Sequence, residues 1–265
     1  LSDEVRETYY SAAWSSDSKN IFYTRVDAAN RPFQIWRHEV GTSEDQLVFE
    51  ETDESFHLSL QSSRSGDYVF IQLQSAVTTE YWAIDANAPT LAPVIIAPRK
   101  PGVEYYVDHS GPYFYVLTNE NAQNFRLMRV SVEQLSNTGA WETVAAHDPK
   151  VTISNVTGFK SFVVVEERRD GITSLHIKWH DGRDSFVPFS EPSYTAGLRD
   201  NFIYDTSVIR YRYSSLVTPK STFDYDVSTN QTTLIKQDKI LNYSPSMYVT
   251  ERIFAQADDG TSVPI

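Results

Sequence analysis

The sequence predicts an all-β protein built as a β-propeller, and three observations indicate this fold. The chain contains 16 tyrosines and 14 phenylalanines but only 2 methionines, a bias that favours strands. Short apolar runs alternate with clusters of turn residues along the whole chain. Four such runs recur at a period of about 45–50 residues, which is typical of the four-stranded blades of a propeller.

The first repeat shows how the strands are assigned. Residues 9–14 form an apolar run, and the cluster at 15–20 is rich in serine, aspartate and asparagine and therefore predicts a turn. Residues 21–26, 33–40 and 46–50 complete the set of strands. This order of strand, turn and strand is that of a small antiparallel sheet.

The later repeats follow the same order. With the first repeat, their predicted limits are 9–50, 56–97, 105–145, 153–187 and 194–236. Large apolar side chains stand at matching positions of the second strands, namely Tyr23, Phe70, Tyr115, Val164 and Tyr213. The sequence therefore predicts about five blades.

The last repeat has the strongest alternation. Tyr211 and Tyr213 alternate with Arg210 and Arg212, which predicts a half-buried strand with the tyrosines on its inner face. A proline-containing turn at 218–221 leads into a second strand. Because a hairpin of two strands is not stable alone, we expect it to pack against the other repeats.

The segment after the last repeat breaks the rhythm. Apolar segments at 241–247 and 248–257 precede the turn Asp258-Asp259-Gly260, and a new apolar start follows at 261–265. We interpret this hairpin as the opening strands of another domain. The predicted organisation is a partial propeller at residues 1–248 and a crossing into the next domain at 249–265.

Composition narrows the classes of partner and chemistry. The net charge of −12 argues against a nucleic-acid partner and allows a cationic substrate. The absence of cysteine rules out disulfides and thiol catalysis. No apolar run approaches the roughly 18 residues of a membrane span, so we expect no membrane partner. A cytoplasmic location is expected, with the periplasm as the alternative because the true start of the protein is not seen.

Motifs for catalysis or cofactors are absent from the sequence. It contains no Gly-x-Ser-x-Gly elbow, no glycine-rich phosphate loop and no dinucleotide fingerprint. The 6 histidines are scattered. His176 and His180 share a predicted strand face but lie ~13 Å apart at the rise of a strand, too far to share a metal. We therefore expect no catalytic residue, no cofactor and no metal in this chain.

One charged run is a candidate for contact with another domain. Glu166, Glu167, Arg168 and Arg169 lie together at a predicted blade edge. Adjacent residues of a strand point to opposite faces, so Glu166 and Glu167 cannot converge on one substrate. The run is either a charged sheet end that discourages edge pairing or a source of interdomain salt bridges.

The order of motifs along the chain carries a family resemblance. The segments concerned are Pro-Phe-Gln-Ile-Trp-Arg-His-Glu-Val-Gly-Thr at 32–42, Asp-Gln-Leu-Val-Phe-Glu-Glu at 45–51, Thr-Thr-Glu at 78–80, Asn119 with Asn124-Phe125, 165–168 with 171–175, Arg-Tyr-Arg-Tyr-Ser-Ser at 210–215 with Thr218-Pro219, and 250–265. In this order they resemble the oligopeptidase B branch of the prolyl oligopeptidase family of serine peptidases. The resemblance covers essentially the whole chain.

The resemblance implies a seven-bladed propeller that caps an α/β-hydrolase domain carrying Ser, Asp and His. This chain would hold roughly the last five blades, and the catalytic residues would belong to the hydrolase domain of the same polypeptide. The family cleaves short peptides, in this branch after Lys or Arg, so short basic peptides are the expected substrates. The propeller is expected to exclude folded proteins, and the chain alone to be inactive.

Two other interpretations remain open from the residues themselves. A stand-alone propeller could bind proteins as a scaffold, and a stop codon after Ile265 would favour it, whereas a downstream Gly-x-Ser-x-Gly would favour the peptidase. A propeller glycosidase or lyase would need converging carboxylates. A partial ring of about five blades would either leave open blade faces, through which we expect self-association, or close in a compressed form.

Overall fold

The strands of the computed structural model, which describes residues 3–265, group into antiparallel sheets. Five sheets have four strands each and one has two strands. The chain divides into two compact units, one ending at Ala146 and the other starting at His147. The helices of the described part are single 3-10 turns, and none is long or apolar enough to cross a membrane. The predicted all-β class with four-stranded repeats is confirmed.

The first unit contains three sheets, in each of which neighbouring strands follow one another along the chain. The first sheet comprises β1 (Ala12–Trp14), β2 (Asn20–Val26), β3 (Pro32–Glu39) and β4 (Asp45–Glu50). The second comprises β5 (His57–Ser62), β6 (Tyr68–Gln74), β7 (Thr79–Asp85) and β8 (Val94–Ala97). The third comprises β9 (Tyr105–Ser110), β10 (Tyr113–Thr118), β11 (Arg126–Ser131) and β12 (Glu142–Ala145), with 3-10 turns at Val132–Gln134 and Thr138–Ala140.

The cores of the first unit lie between successive sheets. Strand β6 is buried on both faces, which explains its nearly continuous apolar sequence. Val69 and Ile71 pack into the core shared with the first sheet, whereas Phe70 packs into the core that contains Phe114 of the third sheet. Phe114 is fully buried, and such a side chain contributes roughly 1.5–3 kcal/mol to the free energy of unfolding.

The second unit contains two four-stranded sheets and a short hairpin. The fourth sheet comprises β13 (Val151–Gly158), β14 (Phe162–Arg169), β15 (Ile172–Trp179) and β16 (Asp184–Phe186). The fifth comprises β17 (Thr195–Leu198), β18 (Val208–Ser214), β19 (Ser221–Asp226) and β20 (Gln231–Gln237). A 3-10 turn at Pro245–Met247 precedes the hairpin of β21 (Phe254–Gln256) and β22 (Ser262–Pro264).

The predicted faces of the last repeat are confirmed. Tyr211 and Tyr213 are buried in a core shared with the fourth sheet, and the Tyr211 ring stacks on Phe223 at 5.5 Å between centroids. Arg210 lies on the opposite face and pairs with Asp224 at 2.7 Å. Asp224 is therefore ion-paired.

The structure differs from the sequence prediction at two places in the second unit. The first strand of the last repeat, which is predicted to start at residue 194, ends at Leu198. The reason is Asn201, whose side chain accepts a hydrogen bond from the Arg210 backbone N–H at 2.7 Å and donates to its carbonyl at 2.9 Å, in place of a strand partner. Residues 241–247 form no strand, because Pro245 starts a 3-10 turn and has no N–H to donate to a ladder.

Candidate functional site

The charged run predicted as an interdomain contact lies at the end of β14, beside a tight turn into β15. Asp170 and Gly171 occupy the turn with φ of 50° and 83°. Positive φ at both central residues is the conformation that a two-residue hairpin with the right-handed twist of its strands requires. This Asp-Gly turn fixes residues 166–169 at the tip of the hairpin.

The two glutamates of the run diverge, as the strand period predicted. The carboxylate of Glu166 accepts a hydrogen bond from the Asn155 side chain at 3.1 Å. It also approaches Gly197 so closely that a Cβ built there would lie 3.2 Å from its second oxygen. Glu167 points away from this contact. Glu166 therefore makes its contacts within the second unit.

Glu167 belongs to a small charged network on the other face. Its carboxylate lies 2.8 Å from Nδ1 of His176, whose Nε2 lies 2.8 Å from Asp184. Lys178 also reaches Asp184, at 3.1 Å, and the His176 ring stacks on Phe186 at 3.9 Å. Hydrogen bonds from His176 and Lys178 lower the pKa of Asp184 below its usual value.

The two arginines of the run are exposed and lie near the C-terminal hairpin. Arg169 pairs with Asp148 at 3.0 Å, and Arg168 donates to the carbonyl of Gly171 at 3.4 Å. The guanidinium of Arg252 donates to the carbonyl of Asp170. A Cβ on Gly171 would lie 4.0 Å from Cγ of Pro264. The turn is thus contacted by residues 249–265, the segment predicted to cross into the next domain.

Two buried carboxylates of the first unit converge, although no local sequence pattern indicates this. The side chains of Glu51 and Glu80 are only 5% and 7% exposed, and both bind the guanidinium of Arg99. Arg99 reaches Glu80 at 3.3 Å and lies 4.0 Å from the centroid of the Phe56 ring. These residues come from separate strands and loops, so only the fold brings them together. Because an arginine occupies the pair, the arrangement does not support a glycosidase or lyase.

A second polar network of the first unit surrounds His38. Its Nδ1 lies 2.8 Å from Asp45 and its Nε2 lies 3.4 Å from Asp3. Burial lowers the pKa of His38. The hydrogen bonds and charges of these two carboxylates raise the pKa by more than burial lowers it, so the pKa lies above the usual value of a histidine. Tyr23 donates to Asp45 at 2.6 Å. Every strong acceptor around His38 is already occupied.

Neither network has the features of a catalytic or metal site. Carboxylates occupy both nitrogens of the His38 ring and of the His176 ring, so neither ring has a free nitrogen to activate a hydroxyl nucleophile. Over residues 3–265, no group of three or more His, Cys, Asp and Glu side chains could hold a metal ion. The described part of the chain therefore offers structural charge networks and a hairpin surface.

The comparison with known families decides what this arrangement of sheets is. Residues 1–238 match the family described as "Prolyl oligopeptidase, N-terminal beta-propeller domain". The chain belongs to this family. Its four-stranded sheets are blades, and the predicted partial β-propeller with about five blades is confirmed.

Relatives and solved structures of this family cover the whole chain. Protease 2 of Moraxella lacunata is 32% identical over 270 residues, spanning 100% of this chain and 39% of the relative. Dipeptidyl aminopeptidase BI of Pseudoxanthomonas mexicana is 33% identical, spanning 100% of this chain and 37% of the relative. Oligopeptidase B of Trypanosoma brucei in its closed form with covalently bound antipain has a TM-score of 0.84 at 30% identity, and oligopeptidase B of Leishmania major 0.85 at 27%, each covering 100% of this chain and 39% of the neighbour. The predicted resemblance is confirmed, and the chain spans about two fifths of these longer proteins.

Proposed function

We propose that this chain is the propeller part of a serine oligopeptidase that hydrolyses short peptides after Lys or Arg. The observation that carries the proposal is the match of residues 1–238 to the propeller family of prolyl oligopeptidase. The Ser, Asp and His of catalysis would lie in a hydrolase domain of the same polypeptide. The propeller would cover that active site and keep folded proteins away from it.

The chemistry of the described residues supports a non-catalytic role. His38 and His176 are held between carboxylates, and Glu51 and Glu80 are occupied by Arg99. A general base needs a reacting proton within hydrogen-bond reach, and none of these groups has a free position for one. The charge networks therefore stabilise blades, and the reacting groups are proposed to lie elsewhere.

The charge of the chain supports a basic substrate. A net charge of −12 attracts cationic peptides at long range, although salt screens this attraction beyond about 8 Å under physiological conditions. A peptide that ends in Lys or Arg carries the complementary charge. The effect is on the rate of encounter, which falls as the ionic strength rises.

A second candidate activity is release of dipeptides from a free N-terminus. It is favoured by the 33% identity to a relative named dipeptidyl aminopeptidase BI. An endopeptidase accepts a peptide whose N-terminus is blocked, whereas a dipeptidyl aminopeptidase needs a free amino group. The two activities therefore differ in their response to one chemical change in the substrate.

The test is an assay of the full-length protein on matched Arg reporter peptides with free and blocked N-termini. Turnover of both, and its loss with a serine-directed inhibitor, is the expected result. Turnover of the free form alone would favour the dipeptidyl aminopeptidase. A folded protein containing the same Arg bond should resist cleavage until it is unfolded. Absence of cleavage of either reporter would contradict the proposal.

The hairpin surface of Arg168, Arg169, Asp170, Arg252 and Pro264 is proposed to contact the hydrolase domain. Its support is the contact of the β14–β15 turn with residues 252 and 264. The double variant R168E/R169E of the full-length protein should lose activity or melt at a lower temperature. The matched control is R183E, because Arg183 is exposed and pairs with Asp181 two residues away. Equal effects of the two would argue against the contact.

We also propose that the chain associates with itself. Leu234 and Ile235 of the last strand of the fifth sheet are half exposed, which supports association of the chain through its edges. Sedimentation that shows a monomer at all concentrations would contradict this.

A cytoplasmic location is proposed for the full-length protein, and fractionation of cells tests it.

A further inference from the structure

Three buried hydrogen-bond donors of the first unit, among them Nε of Arg25, have no partner among residues 3–265, and the other two belong to side chains that line one cavity. These two are Nε of Arg126 and Nε1 of Trp141. Buried polar atoms of folded proteins are nearly always hydrogen-bonded, because leaving one unsatisfied destabilises the fold. Both side chains line the same cavity of about 360 Å³. Two orphaned donors at one cavity suggest that an acceptor belongs there.

The fold explains why these side chains meet. Arg126 starts β11 and stands opposite Thr118 of β10, which stands opposite Tyr105 of β9. Residues directly opposite one another in antiparallel strands share a face, so the three form a row across the third sheet. Trp141 follows the 3-10 turn Thr138–Ala140 and lines the cavity from another side.

The hydroxyl groups of Tyr105 and Thr118 in the cavity are satisfied by the protein itself. The Tyr105 hydroxyl donates to the carbonyl of Ala97 at 2.6 Å and accepts from the Tyr81 N–H at 2.7 Å. The Thr118 hydroxyl donates to the Glu104 carbonyl at 3.2 Å. Among the described residues that line the cavity, the buried polar atoms without a partner are therefore Nε of Arg126 and Nε1 of Trp141, and both are donors.

The charges of the side chains that line the cavity indicate which charge a bound anion should carry. Lys100 also lines it but pairs with Glu120 at 2.6 Å. Among the described residues Arg126 forms no ion pair, so its guanidinium leaves one uncompensated positive charge. A monoanion balances this charge, whereas the second charge of a dianion would be repelled by the carboxylate of Glu120. The planar guanidinium fork also matches the two oxygens of a carboxylate.

We propose that this cavity binds the carboxylate of a small organic ligand, with Arg126 and Trp141 as the donors. Apolar lining by Met128 and the Tyr105 ring suits an organic group rather than a bare ion. The C-terminal carboxylate of a short peptide is the source that we assign, and this assignment of source rests on the proposed function. The binding itself does not depend on catalysis.

The test uses nuclear magnetic resonance of the indole N–H groups of the 265-residue chain. The chain has 5 tryptophans, and W141F identifies the signal of Trp141 by its disappearance. The probe is N-acetyl-Ala-Leu with a free carboxylate, compared with the same peptide as its C-terminal amide and with inorganic phosphate. The acid should shift the Trp141 signal saturably. The amide should bind at least about tenfold more weakly, since a charge-assisted hydrogen bond is worth roughly 1.5–3 kcal/mol.

Variants at two arginines of one strand separate a role in binding from a role in folding. R126Q should weaken binding of the acid at least about tenfold, and R126K, which keeps the charge but loses the fork, should fall between. R129Q is the matched control, because Arg129 pairs with Glu142 and does not line the cavity. Unchanged melting temperatures would show that the variants fold.

Three results would overturn the proposal. They are equal binding of acid and amide, full binding by R126Q, and stronger binding of phosphate than of the acid. Binding of the acid by a protein whose full-length form cleaves no Arg or Lys peptide would leave the carboxylate site standing and remove only the peptide as its source. The failures of the two proposals are therefore distinguishable.

Discussion

Arg99 of the first unit and His176 of the second each lie between two carboxylates, but they differ in what they stabilise. Glu51 and Glu80 are 5% and 7% exposed, so their charges depend on Arg99. Of the partners of His176, Glu167 is 13% exposed but Asp184 is 52% exposed. In the first unit both carboxylates are therefore buried and need the charge of Arg99. In the second unit one of the two carboxylates is exposed and is stabilised by water as well.

The cations also differ in chemistry. An arginine keeps its charge at every pH at which a protein is folded, and its planar fork can bind two carboxylates at once. A histidine has only two ring nitrogens, so it can make one hydrogen bond to each of two carboxylates. The comparison teaches that the burial of the acids and the nature of the cation, rather than the number of ion pairs, decide how much each network contributes.

The largest effect is expected from R99M. It leaves two adjacent carboxylates buried without a counterion, and breaking a buried pair in this way costs about 3–5 kcal/mol. Urea unfolding of the chain measures the loss. R129M is the control, because Glu142 is 62% exposed and its ion pair should contribute less than about 1 kcal/mol. Equal losses in the two variants would break the comparison.

A smaller effect is expected from H176F. The phenyl ring can keep the stacking on Phe186 but leaves Glu167 without its hydrogen bond, at a cost of about 1–3 kcal/mol. In the E167Q background the same substitution should cost less, because the charge is gone. Additive losses of the single variants would show that the two residues do not interact.

His38 combines burial with a titratable ring, which lies between the carboxylates of Asp45 and Asp3. Its pKa is raised in the folded state, so its contribution is fully present below about pH 6.5 and is lost as the pH rises through the folded value. At pH 6, H38N should cost about 1.5 kcal/mol. The melting temperature of the wild type should approach that of H38N between pH 6 and pH 9. A constant difference between the two would contradict the assignment.

The smallest effect is expected at the surface pair of Arg169 and Asp148. Their side chains are 56% and 41% exposed, so R169Q should change the free energy of unfolding by less than about 1 kcal/mol. High salt should remove even this difference. A loss as large as that of R99M would mean that exposure does not govern these networks.

The sequence predicts the blades better than the networks. Alternation of Tyr211 and Tyr213 with arginines is a local signal, and the strand they form has the predicted faces. The end of β17 depends on the Asn201 side chain, which hydrogen-bonds to the backbone N–H and carbonyl of a residue nine positions away. No local pattern indicates this contact.

Clusters of side chains that lie far apart along the chain cannot be predicted from local sequence patterns. Glu51, Glu80 and Arg99 meet only because loops and strands of two sheets converge, and Arg126 and Trp141 share a cavity only in the fold. The run Glu166 to Arg169 was found because its residues are adjacent. Its role toward another domain stays a prediction.

The central claim is that this chain is a non-catalytic propeller serving a peptidase. It is tested most directly by measuring hydrolysis of a blocked Arg reporter peptide by the purified 265-residue chain and by the full-length protein side by side. We predict turnover by the full-length protein and none by the chain. Turnover by the chain that co-purifies with it and survives controls for contaminating serine proteases, or inactivity of the full-length protein, would contradict the claim.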